Sequence, residues 1–574
     1  MKAIISALIG LSTIARAVPQ SCPDYAIVGG GPSGFVLAEH LSRDPTVSVV
    51  LLEAGPDNIG VEDIDIPGHV PFLYPTLHSW NFTSQPDPNL DGATPGLAIG
   101  RGFGGGSAIN YMLGCRGAPS VFDEWAKISG DDGLKWKNFE QDFKATTHYT
   151  KQSDVTYDTH LTESAYGDGP VELTAPTDLL GAQLQFVNAS QRALNIPWVD
   201  LSDGHGIGVT IPASPIRASN RTRDFASQAY GWPMGGRPNV QLMHDTEVIK
   251  VGFKGRRATD VTYINHVTGA IVKLRAKEII LSAGTINSPK LLMLSGVGPA
   301  KQLKKLGIPL IKDIPELGQN LLDHHVAYTE FEVVPSVETL WQWAANATGA
   351  AIANREYAEK RRGPLSVDTG QAFSIIRAPD SVFKKANASP YYPNLPADRG
   401  HILMQFSSGA YRQPSPNISL ISPFVAVVQP EESGYMQLAS KDYRDSPIIH
   451  SNYYGSAGDK AAVLWGVKQI RKVMADAAFS PLVVREFYPG AEVQSDEDLW
   501  HSIRNGSASF NHPMGTAALG TVIEGKTYRV KGLDGIRVVD ASNFPVMVTC
   551  QPMMTVYAHA HHAAQLISKQ DRKS

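Results

Sequence analysis

The sequence predicts an α/β fold of Rossmann type joined to a region of antiparallel strands, so that the whole chain is a mixture of helix and strand. Three observations predict it. Residues 25–53 hold an apolar strand, a glycine-rich turn, a helical stretch and a second apolar strand closed by an acid, which together read as a βαβ unit. Ile418 to Ile449 is a series of alternating apolar stretches broken by Gly434 and Pro447, as antiparallel strands are. The chain has 574 residues, 43% of them hydrophobic, which is more than one simple core organises and enough for two or more domains.

At the N-terminus, Met1-Lys2 precedes an apolar run from Ala3 to Ile14 that ends in Ala15-Arg16-Ala17. Small residues of this A-x-A kind suit signal peptidase, so residues 1–17 are expected to be a signal peptide and the mature chain to start near Val18. The run is too short to cross a hydrocarbon layer of ~30 Å as a helix, and no other stretch has the ~18 apolar residues that would. Sequons at Asn81, Asn188, Asn220, Asn346, Asn387, Asn417 and Asn505 fit a secreted glycoprotein of the extracellular space, cell wall or a vesicle lumen. With 51 Lys+Arg against 55 Asp+Glu and a net charge of −4, nothing attracts nucleic acid or an anionic membrane surface. Three cysteines exclude a disulfide-stapled scaffold and leave no cysteine cluster for zinc, so no metal is expected.

Tyr25-Ala-Ile-Val28 then runs into Gly29-Gly-Gly31-Pro32-Ser33-Gly34, Phe35 to Leu41 has helical composition, and Val47 to Leu52 is a second buried strand. Gly29 allows the tight turn, Gly31 lets backbone approach a pyrophosphate, and Gly34 lets helix and strand pack closely. The helix N-terminus adds unpaired N–H groups and the positive end of its dipole. Glu53, 19 residues after Gly34 and followed by Ala54, stands where a carboxylate accepts hydrogen bonds from a ribose. A dinucleotide site follows. Gly100-Arg101-Gly-Phe-Gly-Gly105-Gly-Ser107-Ala-Ile-Asn110 is a second glycine-rich loop able to form another anion-binding concavity.

Further motifs lie at Ser282 to Gly298 after the strand Glu278-Ile-Ile-Leu281, at Gly318-Gln-Asn320-Leu-Leu-Asp323-His324, and at Gly532 to Pro545 ahead of a helix over Thr555 to Ile567. In these residues the chain resembles the glucose–methanol–choline (GMC) oxidoreductases, a family of FAD-dependent enzymes, and the resemblance runs from residue 24 to about 568. It is similar to the secreted fungal members that oxidise aryl alcohols or secondary-metabolite intermediates. The resemblance implies an FAD domain assembled from residues 24–150, 205–335 and 512–570, and a substrate domain on an antiparallel sheet from 151–204 and 336–511. It also implies that Val248 lies at the adenine, Asn110, Tyr111, Met112 and Leu113 along the flavin, and Asp540 and Ala541 near the pyrophosphate or ribityl. Arg101, Gly105, Ser107, Asn511, Pro552 and Met553 complete the cofactor contacts expected on the same ground. Some relatives attach FAD through a histidine just before the equivalent of Asn110; Ile109 stands there, so the expected FAD is non-covalent.

Oxidising an alcohol requires a base for its hydroxyl proton, and an imidazole titrating near neutrality is suited to it. The family's H-x-x-G-T element reads His512-Pro-Met-Gly515-Thr516, which makes His512 the expected base, while His324, His325, His559, His561 and His562 read as structural. The pair's second position, usually His or Asn, falls on Gln551, twelfth counting from Asp540. Glutamine orients a hydroxyl but takes no proton; the alternative is that the loop is shifted and Gln551 only packs. Cys550 is expected to be a buried apolar thiol, and Cys22 and Cys115 are candidates for a disulfide that sequence alone does not establish. The expected reaction is oxidation of a primary or aryl alcohol, a polyketide or other secondary-metabolite intermediate included, with hydride passing to flavin N5 and electrons to O2 or another acceptor. Sugar oxidation competes within the class, and a non-redox lyase or cyclase on the same scaffold is the alternative that Gln551 keeps open. Trp341, Trp343, Phe373, Tyr411, Phe424 and Tyr435 are candidates for an apolar substrate wall. The expected partners are a small alcohol and the acceptor alone, with monomer and homodimer both compatible.

Overall fold

A computed structural model of the chain describes residues 22–412 and 418–571. The expected signal peptide and the sequon at Asn417 lie outside the described residues. The centre is a five-stranded parallel sheet in the order Ile536–Val538, Glu278–Leu281, Tyr25–Val28, Val49–Leu52, Val240–Met243. Tyr25–Val28 and Val49–Leu52 are continuous apolar runs with every residue buried, because helices and loops cover both faces of the sheet. Helix Pro32–Leu41 starts with a proline at its first position, where no N–H is needed, and packs against the C-terminal helix Met553–Asp571. The latter exceeds the expected span by two residues at its start and four at its end.

A six-stranded antiparallel sheet forms the second layer system, in the order Ser507–Ser509, His325–Tyr328, Phe424–Val427, Ile402–Gln405, Phe373–Ile376, Gly208–Thr210. Helix Ala457–Met474 covers one face and opens with a capping box in which Ser456 and Asp459 satisfy each other's backbone N–H. Gly466 lets it lie close on the sheet: a Cβ there would meet Ile402 Cγ2 at 3.1 Å and Val425 Cγ1 at 3.2 Å. Two of the strands correct the expected domain limits. Gly208–Thr210 and His325–Tyr328 fall inside the stretch 205–335 assigned to the FAD domain, yet belong to the antiparallel sheet. Strands of three or four residues carry no mark of which sheet they join, since that is decided by partners far away in sequence. Among the described residues no helix is long and apolar enough to cross a membrane.

The C-terminal helix is tied down by charge. His562 sits between Asp131 (Nε2 to Oδ2, 3.0 Å) and Asp142 (Nδ1 to Oδ2, 3.2 Å), and His561 reaches Asp142 at 2.8 Å. Burial opposes charge on His562, but the two carboxylates prevail and push it up to about 9. A pKa raised above the unfolded value stabilises the fold fully below that value and loses the contribution as pH rises through the folded one. Thermal denaturation followed between pH 6 and pH 10 is therefore expected to show falling Tm on the alkaline side, and the variant His562→Gln to show a flatter profile.

Candidate active site and cofactor cleft

Glu53 organises the turn. Its carboxylate accepts backbone N–H bonds from Gly30 (2.7 Å), Gly55 (2.8 Å) and Gly102 (2.9 Å), and so binds the first glycine loop to the second. Gly104 N–H to Gly30 O at 2.7 Å adds a direct bond between the loops. The expectation had given this carboxylate to a ribose; three of its four lone-pair sites serve the protein instead, and one is left. The glycines act at close quarters. A Cβ on Gly34 would lie 1.9 Å from Gly29 O, and one on Gly29 (φ +108°) 2.3 Å from Ser282 O. A Cβ on Gly31, by contrast, meets only Gly105 Cα at 3.9 Å and would stand in the cleft itself.

That cleft has a volume of about 1190 Å³, beyond the roughly 300–1000 Å³ usual for a single small ligand, and runs from Val248 to His512. Gly29, Gly31, Pro32, Ser33, Glu53 and Ala54 line it from the first loop. Gly105, Ser107, Asn110, Tyr111, Met112 and Leu113 line it from the second. Asn511, Asp540, Ala541, Pro552 and Met553 line it from the C-terminal segments. Two of the expected contacts are not in it. Gly34 faces the strand it packs on, and the Arg101 guanidinium is spent on the carbonyls of Leu77 (3.1 Å) and Ala54 (3.0 Å). A cation the sequence reading passed over shapes the second loop: buried Arg223 donates to Asn110 O at 2.6 Å and Asn110 Oδ1 at 2.9 Å, and to Ile64 O at 2.9 Å. Asp540 closes the strand Ile536–Val538 and accepts from Gly284 N–H at 2.9 Å and the Ser288 hydroxyl at 2.6 Å.

His512 and Gln551 both line the cleft. Asp323 accepts the His512 backbone N–H at 3.0 Å and the Ser509 hydroxyl, fixing the loop that carries the ring; burial pushes Asp323 up to about 7. The His512 Nδ1 lies 2.9 Å from Nδ1 of His324, whose Nε2 lies 3.0 Å from the Val548 carbonyl oxygen. Burial, with the neighbouring His324 ring, holds His512 well below the usual histidine range. Gly370 O can only accept, so Gln405 turns its Nε2 to it (2.9 Å) and its Oε1 to Gln551 Nε2 (3.2 Å). Gln551 Oε1 is then a buried acceptor without a donor among the described residues. An aromatic wall ends on the His512 ring: Tyr411 stacks on Tyr328 (centroids 3.8 Å), Tyr328 meets Phe424 (5.2 Å), Phe424 meets Phe510 (5.3 Å), and Phe510 meets His512 (4.4 Å). Of the six aromatic candidates only Tyr411 and Phe424 line the cleft. Trp343 and Phe373 are core residues, Trp341 packs against the core, and Tyr435 stacks on His450.

The cysteines overturn two expectations. Cys115 and Cys550 form a disulfide with Cα atoms 6.3 Å apart, both sulfurs buried, while Cys22 is free and exposed. Cys550 is thus buried but is no thiol, and Cys22 does not pair with Cys115. A separation of 435 residues hides the pairing from sequence; the signal present was that each cysteine adjoins a cleft-lining motif, Cys115 after Leu113-Gly114 and Cys550 before Gln551.

Residues 24–326 match a family model described as GMC oxidoreductase, and residues 430–560 match a second of the same description. The chain belongs to the GMC oxidoreductases. This GMC oxidoreductase is 29% identical to pyranose dehydrogenase 3 of Leucoagaricus meleagris over 95% of its own length and 93% of the relative's. It is 28% identical to patulin synthase of Aspergillus clavatus, covering 95% and 91% of the two chains. Its fold superimposes on an FAD-dependent oxidoreductase from Chaetomium thermophilum with a TM-score of 0.86 and 28% identity, over 96% of this chain and all of the other. These relatives give no support to the lyase or cyclase alternative.

The residues of this GMC oxidoreductase fit FAD, the cofactor its family uses. The open Cα of Gly31 clears the space in front of the helix Pro32–Leu41, and the buried hydroxyls of Ser33 and Ser282 stand at the cleft without a partner among the described residues. Both are suited to phosphate oxygens. The variant Glu53→Gln, which puts an amide NH2 against backbone donors at a site worth ~1–3 kcal/mol per unpaired group, is expected to lose flavin on gel filtration while the parent keeps it, read as visible absorbance per chain. Replacing both Cys115 and Cys550 by serine is expected to lower unfolding stability by about 2–5 kcal/mol in denaturant titration.

Proposed function

We propose that the protein oxidises a primary or aryl alcohol, a polyketide or other secondary-metabolite intermediate among them, with His512 as base and O2 or another acceptor taking the electrons. The observation that carries the reading is the aromatic wall from Tyr411 through Tyr328, Phe424 and Phe510 to the His512 ring. Such a wall stacks on a flat apolar substrate and excludes water around the hydroxyl that His512 deprotonates. When bound, FAD supplies the two-electron acceptor that takes the hydride at N5. Gln551 Nε2 gives one N–H to Gln405 Oε1 and keeps a second to donate to the alcohol oxygen; having no titrating group, Gln551 leaves His512 as the one base of the pair. FAD is held without a covalent link through residue 109, since Ile109 offers no nucleophile.

We also propose secretion. The A-x-A site at residues 15–17, exposed sequon asparagines at 81, 188, 346, 387 and 505, and a disulfide suited to an oxidising compartment all support it.

Mixing the purified protein with a benzylic alcohol without oxygen is expected to bleach its flavin band, and a pyranose to do so far more slowly. If no alcohol bleaches it the oxidase reading fails, and if only pyranoses do the substrate class is wrong. His512→Ala is expected to cost at least ~10²-fold in the bleaching rate. Because His512 titrates well below its ordinary value, kcat/KM is expected to hold as pH falls through 6.5, with its acid limb lower.

A further inference from the structure

The His512–His324 contact decides which nitrogen of the base is free. A neutral imidazole carries one N–H and one lone pair, and which is where follows from what each nitrogen faces. Begin at the far end. His324 Nε2 faces the Val548 carbonyl oxygen at 3.0 Å, and a carbonyl only accepts, so Nε2 bears the hydrogen. His324 is completely buried, and burial lowers it to about 4, which keeps the ring neutral at physiological pH. Its Nδ1 is then a lone pair. The partner at 2.9 Å is His512 Nδ1, which must therefore be the donor. That leaves Nε2 of His512 as the lone pair, with no partner among the described residues.

We propose that His324, by accepting from Nδ1 of His512, holds the base in the tautomer whose Nε2 lone pair faces the substrate. This rests on the reading of His512 as base and adds a positioning residue to it. His324 touches no substrate. It acts by removing the other tautomer, in which Nε2 would carry a hydrogen and take no proton from an alcohol. When the alcohol proton moves to Nε2, the ring becomes a cation whose Nδ1–H still donates to His324, while His324 Nε2–H still donates to Val548 O. The whole relay is thus hydrogen-bonded before and after the transfer, and no rotation is needed. Val548 lies in the segment that the Cys115–Cys550 disulfide anchors two residues further on, so the end of the relay is covalently placed.

The direct test needs no turnover. In protein labelled with ¹⁵N-histidine, the His512 signals, assigned by their loss in His512→Gln, are expected to show a protonated Nδ1 and an unprotonated Nε2 at neutral pH. A protonated Nε2 overturns the proposal. The second test compares two variants, because asparagine can present its oxygen where Nδ1 lies and glutamine where Nε2 lies. His324→Gln is expected to slow anaerobic flavin bleaching by ~10²-fold with KM nearly unmoved, and His324→Asn to recover most of the rate. Equal losses in both, or a loss confined to KM, overturn it. If no alcohol reduces the parent flavin, the oxidase reading fails while the labelled spectrum still decides the tautomer.

Discussion

Three backbone N–H groups converge on the buried carboxylate of Glu53, and most of the cleft's shape follows from that convergence. Gly30 belongs to the first glycine loop, Gly55 to the turn after the second strand, and Gly102 to the second glycine loop. Each is short of an acceptor, because tight turns cannot give their amides ladder partners. One carboxylate satisfies all three and so fixes the separation of two loops that are more than 65 residues apart. Only glycines tolerate the result: with Gly34 lying on Gly29, and Gly29 on Ser282, no side chain has room. The open Cα of Gly31 is what remains for a ligand.

A second layer of organisation lies around His512. The segment 546–551 is held by separate anchors from different parts of the chain. Trp125 Nε1 donates to Val546 O, Gln429 Nε2 to Met547 O, His324 faces Val548 O, Ala118 N–H donates to Thr549 Oγ1, and Cys115 is bonded to Cys550. A loop so tied keeps Gln551 facing the same cleft as His512 although the two come from different motifs. Asp323 does the corresponding work for the His512 loop. The antiparallel sheet contributes the aromatic wall through Tyr328 and Phe424 and sets Gln405 under Gln551. The cleft thus opens where the two sheets meet and is lined by residues of both.

The local motifs were legible residue by residue. Tyr25–Val28 and Glu278–Leu281 have the limits their apolar runs imply, and nearly all the residues picked as cofactor contacts line the cleft. The exceptions are instructive. Arg101 was expected among the cofactor contacts from the resemblance, but its reach ends on two carbonyls. His324 looked structural and is one hydrogen bond from His512. Tyr328 and Phe510 stand in strands and loops whose apolar residues are indistinguishable from core in one dimension.

The division follows from range. Hydrogen-bond needs and steric limits within about 30 residues are written in the order of side chains, so the βαβ unit and its glycines were readable from the chain, while His512 and Gln551 were placed by the motifs in which the chain resembles its family. Pairings between distant segments have no such imprint. Cys115 with Cys550, Arg223 with Asn110, His324 with His512, and the two strands that crossed into the antiparallel sheet each depend on where the backbone brings segments far apart in sequence, and folding alone made those choices.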